Sequence, residues 1–223
     1  MRVTLVDQRQ QLLPFVDQEV AAELCHHLRE RHVTLRLGES VSRLEIVPIE
    51  TGERVKLYLD SGKTILTEKA LYSVGRTGAT SKLNLEAAGL EPDKRGRLKV
   101  DANFRTGVPH IYAAGDVIGF PALASTSMEQ GRLAVCHAFG IRAKSVPELF
   151  PYGIYSVPEI SMVGKTEEEL TQAGIAYEIG KARYKEIARG QIVGDVTGLL
   201  KLIFHSLTHK LLASTSSARA PAN

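Results

Sequence analysis

The spacing of apolar residues changes several times along this chain, and each change marks an element. Val3-Thr-Leu-Val-Asp7 is a short apolar run closed by an acid, the pattern of a buried parallel strand. From Asp17 to Arg31 the period becomes helical: Val20, Leu24 and Leu28 share a face, Ala21 and Cys25 lie beside them, and charges fill the other side. Asp17 is placed to cap that helix. Val33 to Leu37 predicts a second strand. Val41 to Val47, Arg54 to Leu59 and Lys63 to Leu66 alternate between turns at Glu50-Thr-Gly52 and Asp60-Ser-Gly62, which predicts an antiparallel meander. Lys69 to Val74 predicts another buried strand, ending in Gly75-Arg76-Thr77-Gly78.

Ser81 to Ala88 predicts a short helix stopped by Gly89, and Leu98 to Phe104 leads into Thr106-Gly-Val-Pro-His-Ile-Tyr-Ala-Ala-Gly-Asp116. Within that stretch His110 to Ala113 predicts a short buried strand. The run from Gly119 to Gly131 enters a helix, with Thr126 and Glu129 at capping-box spacing. Met128, Gly131 or Arg132, Val135 and Phe139 line one face of it and are expected in the core. Ala143 to Pro151 is a connector rich in turn formers. Beyond it, Gly153 to Gly164 predicts edge strands around Pro158, and Thr166-Glu-Glu-Glu169 predicts a capping box opening a helix that ends near Gly174. Ile175 to Tyr184 and Leu199 to Phe204 predict further strands. Ala213 to Asn223 is small and polar and is expected to be disordered, like the out-of-frame end of a truncated reading frame.

Composition narrows the function classes. The 223 residues carry a net charge of +3 and an apolar fraction of 43%, ordinary for one or two globular domains. No basic run interleaved with aromatics points to nucleic acid. No apolar run is long enough for a membrane span, and no signal-peptide pattern follows Met1-Arg2. Cys25 and Cys136 fall on separate predicted helices, which suits buried thiols in a reducing cytoplasm. His26, His27 and His32 crowd one helix end, but adjacent histidines point to different faces, so a metal site is not expected.

Two strand ends carry candidate chemistry. Asp116 stands at the carboxyl end of a predicted strand, where open α/β sheets bind ligands, and a carboxylate there accepts from hydroxyl groups. Gly115 before it has no Cβ, so a ligand can approach the backbone. The helix that follows offers free N–H groups and a positive dipole end to an electron-rich ring. Asp7 has the same placement after Val3 to Val6 and is the residue type that binds a ribose hydroxyl, while Arg9 is placed to meet a 2′-phosphate. The alternative for Arg9 is a solvated loop arginine. No Ser/His/Asp or Cys/His set is visible, so no residue is assigned a catalytic role.

The stretch from Thr106 to Asp116 resembles the second flavin-binding motif of the FAD-dependent pyridine nucleotide-disulfide oxidoreductases, a Thr, a short spacer and then Tyr-Ala-X-Gly-Asp. The matching positions are Thr106, Tyr112, Ala113, Gly115 and Asp116. The resemblance implies that Asp116 hydrogen-bonds the flavin ribityl chain and that backbone N–H groups near Leu123, Ala124 and Ser125 face the flavin pyrimidine edge. The strand-helix-strand-meander-strand order resembles the second half of the family's nicotinamide-binding domain, whose closing Gly-Arg pair is matched by Gly75 and Arg76. There Gly75 would let the cofactor pack against the backbone, and Arg76 would orient it or tie two domains together. From Tyr152 the chain is similar to the start of the family's interface domain, through which two subunits pair.

The resemblance thus implies an α/β class: part of a two-dinucleotide-domain flavoprotein fold with a partial α+β dimerisation domain. Residues 1–78 would be nicotinamide-binding, 79–143 the end of the FAD-binding domain, 151–212 the partial interface domain and 213–223 a disordered tail. FAD, NAD and NADP are the implied cofactors. The implied reaction is hydride transfer from NADPH to FAD and on to NAD+, in a cytoplasmic homo-oligomer. A dihydrolipoyl dehydrogenase-like disulfide reductase, or a non-catalytic fragment, is the alternative. The family's redox cysteine pair and its first flavin half with Gly-x-Gly-x-x-Gly do not occur in the sequence, so the chain by itself is not expected to catalyse.

Overall fold

The computed structural model describes residues 1–143 and 151–218. In chain order the elements are β1 (Val3–Asp7), α1 (Gln18–Glu30), β2 (Val33–Leu37), β3 (Val41–Ile49), β4 (Gly52–Leu59), β5 (Thr64–Thr67), α2 (Ala124–Ala138), β6 (Tyr152–Ile154), β7 (Glu159–Gly164), α3 (Glu167–Gln172), β8 (Tyr177–Arg183), α4 (Ala188–Val193), β9 (Gly198–His205) and β10 (Leu211–Ala218). They divide into two compact units. Met1–Leu71 joins the chain from Pro151 onward in one, and the chain from Tyr72 up to Phe150 forms the other. The cuts fall after Leu71 and before Pro151, against 78 and 151 from the sequence, and the first segment and the interface segment share one unit.

In that shared unit β1 and β2 pair in parallel, and β3, β4 and β5 form the expected antiparallel meander. The remaining strands form a five-stranded antiparallel sheet in the order β6-β7-β10-β9-β8. The Asp17 carboxylate caps α1 by accepting from the Glu19 amide at 3.1 Å, and the apolar face of the helix lies on that sheet. Val16, Val20, Ala21 and Leu24 pack with Ile160, Met162 and Leu199 in one buried cluster. Each Val, Leu, Ile or Met side chain there contributes about 1.5–3 kcal/mol on burial. A second cluster joins Leu170 of α3 to Ile203 and Ala213. The Thr166 capping box is present in full, with reciprocal bonds between Thr166 and Glu169.

Residues 213–218, expected to be disordered, lie instead in β10 at the centre of this sheet, paired with β7 on one side and β9 on the other. Ala213, Thr215 and Ser217 alternate inward and are buried. Small side chains read as a linker by composition, yet they suit a central strand crossed closely by a helix. Residues 219–223 of the expected tail and 144–150 of the expected connector lie outside the described residues.

Lys69 to Val74 does not form a strand, and Leu71 is 93% exposed. A parallel strand needs a hydrogen-bonding neighbour and cover on its faces. Among the described residues the parallel sheet stops at two strands, and neither takes this segment.

In the second unit Leu90, Leu98 and Ala113 form a small core with Val100, Ile111 and Val117 around it. The expected helix at Ser81 to Ala88 shortens to one 3-10 turn, Leu85–Ala88, stopped by Gly89. The start of α2 also departs from expectation. The helix begins at Ala124, so Thr126 lies inside it, buried, and Glu129 pairs with Arg132 at 2.6 Å instead of capping. Its buried face carries Thr126, Gln130, Leu133 and Ala134, while Met128, Val135 and Phe139 are exposed rather than core. A hydrogen bond from the Gly115 amide to Gln130 fixes which face turns inward.

Candidate functional site

The turn that ends in Asp116 is built by Thr106. Its hydroxyl donates to the Ile111 carbonyl at 2.9 Å and accepts from the Val108 amide at 3.1 Å, and its own amide donates to Ile111. The chain doubles back here, and the Ala113 amide reaches the Phe104 carbonyl at 3.0 Å. His110 to Ala113 is not a strand: one bridge, Arg105 to Tyr112, is all that forms.

Gly115 follows with φ +81°, a backbone that an L side chain adopts at a cost, and a Cβ there would press on the Ser127 hydroxymethyl. The Gly115 amide is buried and donates to Gln130 Oε1 at 2.8 Å. That bond fixes the backbone immediately before Asp116. Asp116 opens a 3-10 turn, Gly115–Ile118, with its carboxylate exposed and without a partner among the described residues. Gln130 was not singled out from sequence; the signal was its position one turn before Leu133 and Ala134, a polar group on the inward face.

No side chain caps α2, so the Ala124 and Ser125 amides stand in its first turn without an intrahelical acceptor. Leu123 differs from expectation, because its amide donates to the Pro121 carbonyl at 3.0 Å. An open cleft of 390 Å³ adjoins the end of the turn, lined by Arg97, Lys99, Ile118, Gly119 and Phe120 among others. Gly75, with φ +121°, and Arg76 lie on an exposed irregular segment of the same unit.

Asp7 and Arg9 stand in the other unit, at the carboxyl end of β1. Arg9 closes on Asp7 twice, Nε to Oδ1 at 2.9 Å and Nη2 to Oδ2 at 2.6 Å, and its amide also donates to Oδ1. The Arg9 hydrogen bond holds the Asp7 carboxyl below its ordinary range, against a smaller opposing effect of burial. Among the described residues the acidic group Asp17, Glu19 and Glu167 brings carboxylate oxygens within 4.8 Å of one another. The Lys201 ammonium bonds to all three, so a cation's place is already taken by a side chain. Cys25 and Cys136 are free thiols, and burial pushes the Cys25 thiol up, away from the reactive thiolate.

A family model for the pyridine nucleotide-disulphide oxidoreductases matches residues 1–131, more than half of the chain. The chain belongs to this oxidoreductase family. A second model, for the dimerisation domain of the pyridine nucleotide-disulphide oxidoreductases, matches residues 150–220, the stretch that holds the five-stranded sheet.

Among the relatives of this chain is the soluble pyridine nucleotide transhydrogenase of Mycobacterium tuberculosis, 53% identical over 95% of the chain and 44% of the relative. The transhydrogenases of Chromohalobacter salexigens and Vibrio cholerae are 46% and 45% identical, again over 95% of the chain. The chain spans about half the length of the curated relatives it matches. Among solved structures, the flavoprotein disulfide reductase RclA of Escherichia coli superposes with a TM-score of 0.85 at 26% identity, over 98% of the chain and 50% of that structure. LpdA of Mycobacterium tuberculosis gives 0.83 at 27% identity, over 98% and 47%. The chain therefore shares the mixed helix and sheet fold of these flavoprotein structures.

Proposed function

We propose that this chain, within a polypeptide of its relatives' length, serves a soluble transhydrogenase that moves hydride from NADPH through FAD to NAD+. The observation that carries this reading is the 53% identity to a soluble transhydrogenase along 95% of the chain. A disulfide reductase is the second reading, supported by the likeness to RclA, but at 26% identity that likeness speaks to fold more than to substrate.

The residues around Asp116 fit a flavin. Gly115 leaves room where a Cβ would stand, the Asp116 carboxylate is open to accept from ribityl hydroxyls, and the Ala124 and Ser125 amides are uncapped beside it. Flavin, when bound, supplies the two-electron chemistry. The chain supplies position: Gln130 fixes the Gly115 backbone, Asp116 accepts hydroxyls, and the α2 dipole favours negative charge at the ring edge. Gly75 and Arg76 are proposed at the nicotinamide side, and Asp7 and Arg9 at the adenosine ribose. The five-stranded sheet that spans the dimerisation match is the proposed seat of a homodimer, and the free thiols suit the cytoplasm.

The test uses a polypeptide of the relatives' length that carries this sequence. NADPH should reduce a thio-NAD+ analogue, and Asp116→Ala should weaken FAD retention on dialysis by about 10- to 150-fold, the equivalent of roughly 1.5–3 kcal/mol. Reduction of a disulfide substrate without thio-NAD+ reduction would favour the second reading. Unchanged FAD content in the Asp116 variant would remove that residue from the site.

A further inference from the structure

We propose that the open cleft beside the Gly115–Ile118 turn is a separate ligand site, which takes a phosphate monoester carried on a flat apolar body. The inference goes beyond the transhydrogenase reading and does not depend on it. No residue that lines the cleft is among those proposed for flavin or nicotinamide.

Charge is distributed unevenly here. Lys94, Arg95, Arg97 and Lys99 fall within six residues. None of the four enters an ion pair among the described residues, whereas Arg105 and Arg132 of the same unit pair with Asp101 and Glu129. Asp93 is the acid beside them, and its Oδ1 accepts from the Arg95 and Arg97 amides, each at 2.8 Å. The Gly96 amide closes the same turn on the Asp93 carbonyl, also at 2.8 Å. The cleft is thus lined by two cations, Arg97 and Lys99, against one carboxylate with an oxygen already bonded to backbone. A concave surface with this balance draws anions.

Arg97 also has a built seat. Gly119 closes the turn with φ +99°, and a Cβ there would stand 3.3 Å from Arg97 Cδ and 3.4 Å from Nη1. The glycine leaves the place that the guanidinium fills. The Leu98 amide donates to the Val117 carbonyl at 2.9 Å, which ties the strand of cations to the turn. The rest of the lining is apolar: Leu98 is buried, Val100 and Ile118 are half-buried, and the Phe120 ring is 65% exposed. An exposed ring offers a face for offset stacking. A volume of 390 Å³ lies in the range of small-molecule sites. The head group follows from the cations. A phosphate monoester carries nearly two negative charges and pairs bidentately with a guanidinium, so it engages Arg97 and Lys99 together. A carboxylate, with one charge, leaves one of them unmatched.

The experiment titrates phenyl phosphate and inorganic phosphate into the full chain at low salt, following the Leu98, Lys99 and Gly119 amides by NMR. Phenyl phosphate should shift these amides and bind about 10-fold more tightly than inorganic phosphate, because its ring has Phe120 to stack on. Arg97→Gln should weaken it by about 10-fold or more. Lys99→Gln, at an exposed side chain, should weaken it less and gives a second test that leaves the turn untouched. Equal affinity for the two phosphates, or an affinity that neither substitution moves, would overturn the proposal. Binding lost in Asp116→Ala but kept in Arg97→Gln would put the probe at the flavin turn and overturn the separate site. The flavin reading is tested by FAD retention, so the two fail independently.

Discussion

Asp17 and Lys201, 184 residues apart in sequence, form a bidentate ion pair inside the protein, with Lys201 Nζ at 2.9 Å from Oδ1 and 2.8 Å from Oδ2. Asp17 caps α1 with the same Oδ1. Lys201 also bonds Glu167 in the first turn of α3 and Glu19 in the first turn of α1. The ammonium thus joins acids at two helix N-termini, where the helix dipoles favour negative charge. Burial opposes the charge of Lys201, but its hydrogen bonds to Asp17 and Glu167 outweigh it and hold the group above its ordinary value of 10.5.

Lys201→Met should destabilise the chain by about 3–5 kcal/mol, because it leaves buried carboxylates without their cation. The effect carries a pH signature. A raised folded pKa contributes stability that is full below the unfolded value and lost as pH rises through the folded one. Where the partner acids are ionised, the difference in urea midpoint between wild type and Lys201→Met should therefore hold level up to about pH 10 and shrink above it, and it should also shrink in acid as those carboxylates protonate. A difference that fades near neutral pH would show that Lys201 is not charged in the folded state.

Gln130→Ala should cost about 1–3 kcal/mol by leaving the buried Gly115 amide unpaired, partly offset by the better helix propensity of alanine. In a polypeptide of the relatives' length the same change should also lower FAD retention, because the turn before Asp116 loosens. Stability loss with flavin retention intact would separate the turn from the site.

Gly164→Ala should destabilise by an amount of order 1–3 kcal/mol, read as a lower thermal midpoint. Gly164 closes β7 with φ +93°, and a Cβ there would collide with the Leu212 carbonyl oxygen, beside the register shift in β10 between Leu211 and Ala213. A neutral result would mean that the bulge relaxes freely.

Ser217→Ala should be stabilising by about 1 kcal/mol. The Ser217 hydroxyl is fully buried opposite Leu199 and has no hydrogen-bond partner among the described residues. Alanine keeps the packing and removes the unpaired oxygen. A loss of stability on chemical denaturation would reveal a partner for that hydroxyl.

Local chemistry was enough for much of this molecule. The spacing of Val20, Leu24 and Leu28, the Asp17 cap, the Thr166 capping box and the meander turns each act within a few residues, and each forms as read. Gly115 was legible as a position without a Cβ, and a Cβ there would indeed press on Ser127, although the strand expected before it did not form. Tertiary structure decided what depends on distant partners. Lys69 to Val74 has strand composition but no neighbour to pair with among the described residues, whereas residues 213–218 have linker composition and become a central strand because β7 and β9 offer hydrogen bonds on both sides. The inward face of α2 was set by Gln130 reaching Gly115, and the partner of Asp17 by a lysine on β9. Propensity and period are written in neighbouring residues; pairing and burial depend on which surfaces meet.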